Sequence, residues 1–443
     1  MNQAILSGQA NDGGQSARAA QLNQVLCHPA RKLGANFEAW RAAGGGLGLE
    51  AALAAPAAII DTLACAGLRG LGGAGFPTSR KWALAAQAPA PAGLKYVVCN
   101  GNEDEPGTFK DAYLLRWTPH QVIEGAVIAA LAIGATQVIL YINPQQGDSL
   151  AEAGRAAEQW QASALLRRVA VALDRPLVVR VVASSGRYIG GEETAVVASL
   201  EGGFPFPRSK PPLPAEHGIG GAPTLINNAE TLANVGHILR HGAAWYRALG
   251  LGEAGGTKLY SLSGDVLRPG LYELPAGTSL RELVFGHGGG MLEGRAFKAV
   301  FTGGPSNTLL TAAHLDVALD FDSLRAGGSR LGTGAMIVIS EGTSIVRKVA
   351  EYIEFFAKGS CGQCPSCKCG TFQLARLLDR VDSGRAGAAD VAALRHLCQI
   401  LPGSGRCGLI AGAVTVVESS MATFPAEYAL APPPLGAGAG GRS

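Results

Sequence analysis

Apolar and polar positions along this chain change their period several times, and each change marks a different kind of element. Apolar residues recur at helical spacing from near Leu47 and again over 57–66 (AAIIDTLACA), which runs straight into a glycine loop at 67–75. Short β-branched runs follow at 96–99, 138–142 and 176–182, with helical patterns at 119–133 and 150–165 between them. Strand and helix alternating in this way predict an open α/β sheet. The stretch 122–142 (VIEGAVIAALAIGATQVILYI) has the length of a membrane span, but Gly134-Ala-Thr-Gln divides it into a buried helix and a strand, so no membrane insertion is expected. From about Gly255 the texture becomes short strand-and-turn units (KLYSLSG, GLYELP, KAVFTGG), which predict a small mixed β domain. From about Thr343 it becomes helical, with helices over 345–357 and 372–381 on either side of a cysteine run.

Length and composition set the frame around these elements. A chain of 443 residues suggests about two to four domains. The divisions predicted are an N-terminal arm over 1–44, an α/β domain over 45–254, a small β domain over 255–340, a helical domain over 341–430, and a disordered Pro/Gly-rich tail over 431–443. Lys plus Arg is 37 against 34 for Asp plus Glu, and a net charge of +3 points to neither nucleic acid nor acidic lipid as a partner. The nine cysteines are placed too unevenly for a secreted disulfide ladder, and the N-terminus lacks the apolar core of a secretory signal, so a reduced, cytoplasmic location is expected.

Chemistry concentrates in two places. Cys361, Cys364 and Cys367 form a C-x-x-C-x-x-C run, the spacing of a [4Fe–4S] cluster that still needs a fourth thiolate from Cys369, Cys398 or Cys407. Zinc fits less well, because no second C-x-x-C exists; His237 and His241, at i and i+4, lack a third ligand. In the other place, Gly70, Gly72, Gly73 and Gly75 lie within six residues, ahead of a helix opening that carries Arg80 and Lys81. Such a loop brings backbone N–H groups against a phosphate or a flat ring. A helix and not a strand precedes it, so a nucleotide or flavin phosphate is expected there, but not in the Rossmann manner.

Five blocks in order, GLRGLGGAGFPTSRKW, VVCNGNEDEPGTFKD, GRYIGGEETAVVASLEG with PRSKPPLPA, PTLINNAETLAN and SCGQCPSCKCGTF, resemble the flavoprotein subunit of respiratory complex I, the NADH-binding 51-kilodalton type that also serves NAD-linked hydrogenases and formate dehydrogenases. The resemblance spans about Gly45 to about Phe424. It implies a Rossmann-like FMN-binding open sheet, a small ubiquitin-like (β-grasp) domain and a C-terminal helical bundle carrying the [4Fe–4S] cluster. It implies hydride exchange between NAD(H) and FMN, with electrons passed singly through the cluster to a larger redox complex. For FMN it implies Gly70, Gly72, Gly73, Lys81, Asn100, Asn102, Glu103, Asp104, Tyr188, Gly191, Glu192, Glu193, Asn227, Asn228, Thr231 and Leu409. For NADH it implies Phe76, Glu105, Glu193 and Lys210, with Glu105 and Glu193 as the catalytic residues.

The fourth cluster ligand is read as Cys407. Cys369 sits too near Cys367 to reach another iron, Cys398 lies in a helical pattern as a small core residue, and Cys407 occupies a glycine loop 40 residues beyond Cys367, which suits the family spacing. Some positions depart from the family's usual residues: Leu71 for arginine, Asn102 for aspartate, Gly190 for cysteine and Cys369 for glutamate. Leu84 and Leu213 stand where aromatic rings usually face the adenine, which motivates an alternative: a flavin/iron–sulfur adaptor that does not use NAD(H). The partners implied are a thioredoxin-like [2Fe–2S] subunit and a larger iron–sulfur or catalytic subunit of complex I, hydrogenase or molybdenum formate dehydrogenase type.

Overall fold

The structure, a computed structural model, describes residue 23 and residues 25–428; the first part of the expected arm and the 431–443 tail lie outside the described residues. The chain forms two compact units, Met1–Glu341 and Gly342–Ser443.

The first unit holds two sheets. β1 (Tyr96–Gly101), β2 (Gln137–Ile142), β3 (Val178–Ala183) and β4 (Thr224–Asn228) make an all-parallel sheet in the order β3-β2-β1-β4. β1 and β2 read as near-continuous apolar runs because both of their faces are covered. Helix Pro119–Ile133 crosses from β1 to β2 and buries every residue but Ala132, so the apolar 122–142 stretch is a core helix and a central strand. Among the described residues no single helix is long and apolar enough to cross a membrane. The helical pattern at 150–165 is two helices, Gly147–Ala162 and Ala164–Leu173. The break comes at Ser163, whose hydroxyl takes the Leu166 N–H at 3.1 Å and caps the second helix.

β5 (Thr257–Gly264), β6 (Gly270–Pro275), β7 (Phe297–Thr302), β8 (Leu309–Thr311) and β9 (Ala335–Ser340) form the expected mixed sheet, ordered β6-β5-β9-β7-β8, with β5 and β9 parallel and the other pairs antiparallel. The segment read as an arm joins this unit from residue 25. Val25, Leu26 and Cys27 are buried, and their N–H groups donate to the Glu273 carboxylate on β6 at 2.8–3.1 Å. A carboxylate that is itself fully buried can be held only by such donors, and nothing in the local pattern of 25–27 signals that distant partner.

The second unit packs four helices, Ile345–Gly359, Pro365–Asp382, Ala388–Ile400 and Leu409–Thr423. The helix expected over 372–381 begins earlier because Pro365 is suited to a first helical turn; Cys367 and Cys369 are therefore helical residues, and Cys364 stands at the cap.

Candidate functional site

The order β3-β2-β1-β4 makes the chain turn to opposite sides of β1, and a ligand crevice is expected at the carboxyl ends of the strands where it does so. The parallel register sets Cys99 beside Asn227 and Asn100 beside Asn228 there. The glycine loop lies over this corner. Leu71 N–H donates to Thr231 Oγ1 at 2.8 Å, and at Gly72 a Cβ would come within 2.8 Å of the Asn228 Cβ, so only glycine lets the loop approach so closely.

A cleft of about 400 Å³ opens between them, a size suited to a nucleotide-like ligand. Of the residues the sequence singled out, Gly70, Gly72, Gly73, Phe76, Lys81, Asn100, Gly191, Glu192, Glu193, Lys210, Asn227 and Asn228 line it. Leu84 and Leu213 line it too, with Phe76 a half-exposed aromatic wall. Thr78 is a lining residue that the sequence reading missed; its hydroxyl is buried and has no protein partner. Its place at the opening of a helix after a glycine loop was the available signal. The glycine cradle, the Thr78 hydroxyl and the Lys81 ammonium together fit a flavin phosphate. Arg80, the other expected cation, is exposed and does not line the cleft.

One wall is a chain of alternating charges. Lys81 Nζ lies 3.0 Å from Glu193 Oε2, and Lys210 Nζ lies 2.8 Å from Glu193 Oε1 and 3.3 Å from Glu192 Oε1. Burial pushes the Glu193 carboxyl up, but the two lysines outweigh it and hold it below its ordinary value. Glu192 is also the cap of helix Glu193–Leu200, accepting from Thr194 and Ala195 N–H.

Asn102, Glu103, Asp104, Glu105, Tyr188 and Thr231 do not line the cleft, and most of them hold the segments around it. Asn102 donates to Arg187 O at 3.1 Å and accepts from Ser184. Glu103 is buried and accepts the Asp111 and Ala112 N–H groups at 2.8 and 2.9 Å, opening helix Lys110–Trp117. Tyr188 donates its hydroxyl to Glu105 Oε2 at 2.7 Å. Thr231 anchors the glycine loop as described. Burial raises Glu103 and Glu105 to about 7 and Asp104 to about 6. At Gly190 the Ser185 hydroxyl already takes the room of a side chain; nothing in the structure explains Leu71 or Asn102 in place of the usual residues.

The Glu105 shift has a measurable consequence. Unfolded, this carboxyl titrates near 4.5; folded, near 7, so between those values the folded chain holds the extra proton and stability falls as pH rises, levelling off above 7. Glu105→Gln has no such proton to take up. The stability of wild type relative to Glu105→Gln therefore drops by about 3 kcal/mol between roughly pH 4.5 and pH 8 in urea titrations.

Beneath the cleft lies a buried ionic network. Lys110 Nζ contacts Asp111 Oδ1 at 2.8 Å, Asn228 Oδ1 at 2.9 Å and Glu230 Oε2 at 3.1 Å, while Lys258 Nζ, from β5, meets Glu230 Oε2 at 2.5 Å. Burial pulls Lys258 down to about 8 despite Glu230; for Lys110, Asp111 and Glu230 outweigh burial and push it up. His237 and His241 stack with centroids 6.5 Å apart, and Arg31 lies 3.5 Å from His237 Nε2, which favours core and surface roles over metal binding.

In the second unit Cys361 and Cys364 lie in the turn that opens helix Pro365–Asp382, Cys367 follows within the helix, and Cys367 Sγ lies 3.5 Å from Ser360 Oγ. Two bonds tie that turn to the loop of Cys407: Arg406 Nη1 donates to Gln363 Oε1 at 2.5 Å and Ser366 Oγ to Ser404 O at 3.0 Å. Cys398 is 3% exposed, its thiol pushed up to about 12 by burial, with Glu418 as its charged neighbour. Cys369 is exposed. Among the described residues no three His, Cys, Asp or Glu side chains converge as around a single ion. The soft donor set on two tethered loops fits an iron–sulfur cluster. Leu409 is buried at the start of helix Leu409–Thr423 in this unit.

The Nuo51 FMN-binding domain family matches residues 63–237, the SLBB domain family 259–307, and the NADH-ubiquinone oxidoreductase-F iron-sulfur binding region 347–431. A NADH-quinone oxidoreductase F subunit of Rhizobium meliloti, the one numbered 2, is 42% identical over 392 residues, 88% of this chain and 92% of that one. The corresponding F subunit of Aquifex aeolicus is 37% identical over 92% of this chain and 94% of its own length. The NADP-reducing hydrogenase subunit HndC of Solidesulfovibrio fructosivorans is 38% identical over 84% and 76%. A solved NAD+-reducing [NiFe]-hydrogenase chain superposes with a TM-score of 0.74 at 36% identity over 85% of this chain, which spans 63% of that chain's length. With the glycine loop and the cysteine turn inside their matching regions, and the SLBB match covering β6, β7 and most of β5, the chain belongs to the NADH-quinone oxidoreductase F-subunit family, oxidoreductase subunits that carry an FMN-binding domain and an iron–sulfur region.

Proposed function

We propose that the cleft seats FMN against the 70–73 glycines and takes NAD(H) on its Phe76, Glu193 and Lys210 side, and that Cys361, Cys364, Cys367 and Cys407 hold a [4Fe–4S] cluster. When bound, FMN exchanges a hydride with nicotinamide and gives up electrons singly, and the cluster carries them onward. The observation that carries this reading is the cleft in which the glycine loop faces the Lys81–Glu193–Lys210 chain. The residues' parts follow from their contacts. Lys81 and the Thr78 hydroxyl would hold the phosphate, Asn100, Asn227 and Asn228 line the cleft at the strand ends, and Glu193 holds both lysines in place. Asp104 and Glu105 would set the charge near the ring, and their raised values let them take protons close to neutrality. Cys407 is favoured over Cys398 by the two bonds that bring its loop to the cysteine turn.

The partners are a thioredoxin-like [2Fe–2S] subunit and a larger iron–sulfur or catalytic subunit, in keeping with relatives named as subunits of a quinone oxidoreductase and of a hydrogenase. Anaerobic addition of NADH to the FMN-loaded chain tests the reading: bleaching of the long-wavelength flavin band is expected, and an unchanged band refutes it.

A second reading, an adaptor that takes electrons from proteins and not from NAD(H), is favoured by Leu84 and Leu213 in the cleft wall. A ring stacked on an adenine contributes about 1–3 kcal/mol. Leu84→Phe with Leu213→Phe therefore lowers the NADH Kd about ten- to a hundredfold in calorimetry. On the adaptor reading, the same pair of changes creates no NADH binding.

A further inference from the structure

We propose that Ser306 and Gly304, in the turn between β7 and β8, are positioning residues for Glu105, so that the mixed-sheet domain completes the NAD(H) side of the cleft. The inference rests on the function proposed above together with the part in NADH binding that the family resemblance implies for Glu105.

Glu105 is held from two directions. Tyr188 donates to its Oε2 at 2.7 Å, from the turn that also carries Gly191 and Glu192. Its Oε1 is buried and makes no hydrogen bond; what presses on it is the mixed-sheet turn, in which the Ser306 side chain is its polar neighbour. At Gly304, φ is +100°, and a Cβ there would overlap Oε1, so this turn presses its bare backbone against the carboxylate. Any side chain at 304 displaces Glu105, and any loss at 306 takes that polar neighbour from Oε1.

The rest of the acidic turn is pinned by the same domain. Thr108 Oγ1 bonds Thr333 Oγ1 at 2.8 Å, Phe109 N–H donates to Ser261 Oγ at 3.2 Å, and the space beside Gly107 is filled by Ile337. Four separate points of the mixed sheet thus meet residues 105–109, and only the first of them touches a group able to face substrate. A domain serving as a spacer needs no polar group aimed at a carboxylate beside the cleft; one that orients it does.

The test uses the full chain loaded with FMN. Ser306→Ala is expected to raise the Kd for NAD+ in calorimetry about three- to tenfold, the loss of the polar side chain beside a carboxyl oxygen that has no other partner. KM for NADH rises in parallel while kcat changes by less than about twofold, as expected when ground-state and transition-state binding fall together. FMN content and melting temperature stay at the wild-type values, and Ser306→Thr, which keeps the hydroxyl, restores the Kd. A Kd unchanged in Ser306→Ala overturns the proposal, and so does a loss that tracks a fall in FMN content or melting temperature. A wild-type chain that binds no NAD+ at all refutes the function proposed above, and this inference with it.

Discussion

Cys407→Ala is expected to remove the iron–sulfur cluster entirely, while Cys398→Ser leaves it in place. Three ligands come from one short run and cannot close a four-iron cluster, so the fourth thiolate decides whether it assembles. Cys407 is tethered to that turn through Arg406–Gln363 and Ser404–Ser366. Cys398 points into the helical core with Glu418 nearby, and Cys369 faces solvent. Iron and sulfide analysis of the purified variants checks this: none retained for Cys407→Ala, full content for Cys398→Ser. Flavin content is expected to be unchanged in both, because the glycine cleft belongs wholly to the first unit. Cluster loss in Cys398→Ser with retention in Cys407→Ala would reverse the assignment.

Glu230→Ala is expected to destabilise the first unit by about 3–5 kcal/mol, because it leaves two lysine charges buried without their shared partner. Glu230 is fully buried and meets Lys110 at 3.1 Å, Lys258 at 2.5 Å and the Leu259 N–H at 2.8 Å. It therefore stitches helix Ala229–His241, which follows β4, to β5 of the mixed sheet. Lys110 in turn orients Asn228 at the cleft, so FMN affinity falls along with stability. Urea unfolding of the FMN-free and FMN-loaded protein measures both losses. The milder Glu230→Gln keeps one oxygen for Leu259 and loses less. A Glu230→Ala variant as stable as wild type would show that the two lysines shed their charge without cost.

Much of the parallel sheet was legible because β1 and β2 are buried on both faces, and such strands print themselves as unbroken apolar runs. β4 was not, since Asn227 and Asn228 end it with the polarity of a loop; those asparagines line the cleft while bonding Trp82, Lys110 and Asp111 behind it. The loop glycines, Lys81 and the cysteine turn were readable as chemistry from type and spacing alone. Their supports were not. The grip of Glu273 on residues 25–27, the role of Glu192 and Glu103 as helix caps, and the pressure of Gly304 on Glu105 all join residues far apart in sequence or hidden behind a motif that suggested ligand contact. Glu103 and Asn102 were expected to meet FMN, and the structure turns their side chains to protein groups. A motif identifies which residue types a site needs, but a carboxylate that binds a ligand and one that caps the helix behind it look alike in sequence.

One chain is expected to carry electrons from NADH through its flavin cleft to the Cys361–Cys364–Cys367–Cys407 cluster. Electron paramagnetic resonance of the FMN- and cluster-loaded full chain, frozen after anaerobic addition of NADH and compared with dithionite, tests it most directly. NADH is expected to elicit the reduced-cluster signal together with flavin bleaching, and Cys407→Ala to abolish the signal but not the bleaching. A cluster that dithionite reduces while NADH leaves both flavin and cluster oxidised would contradict it.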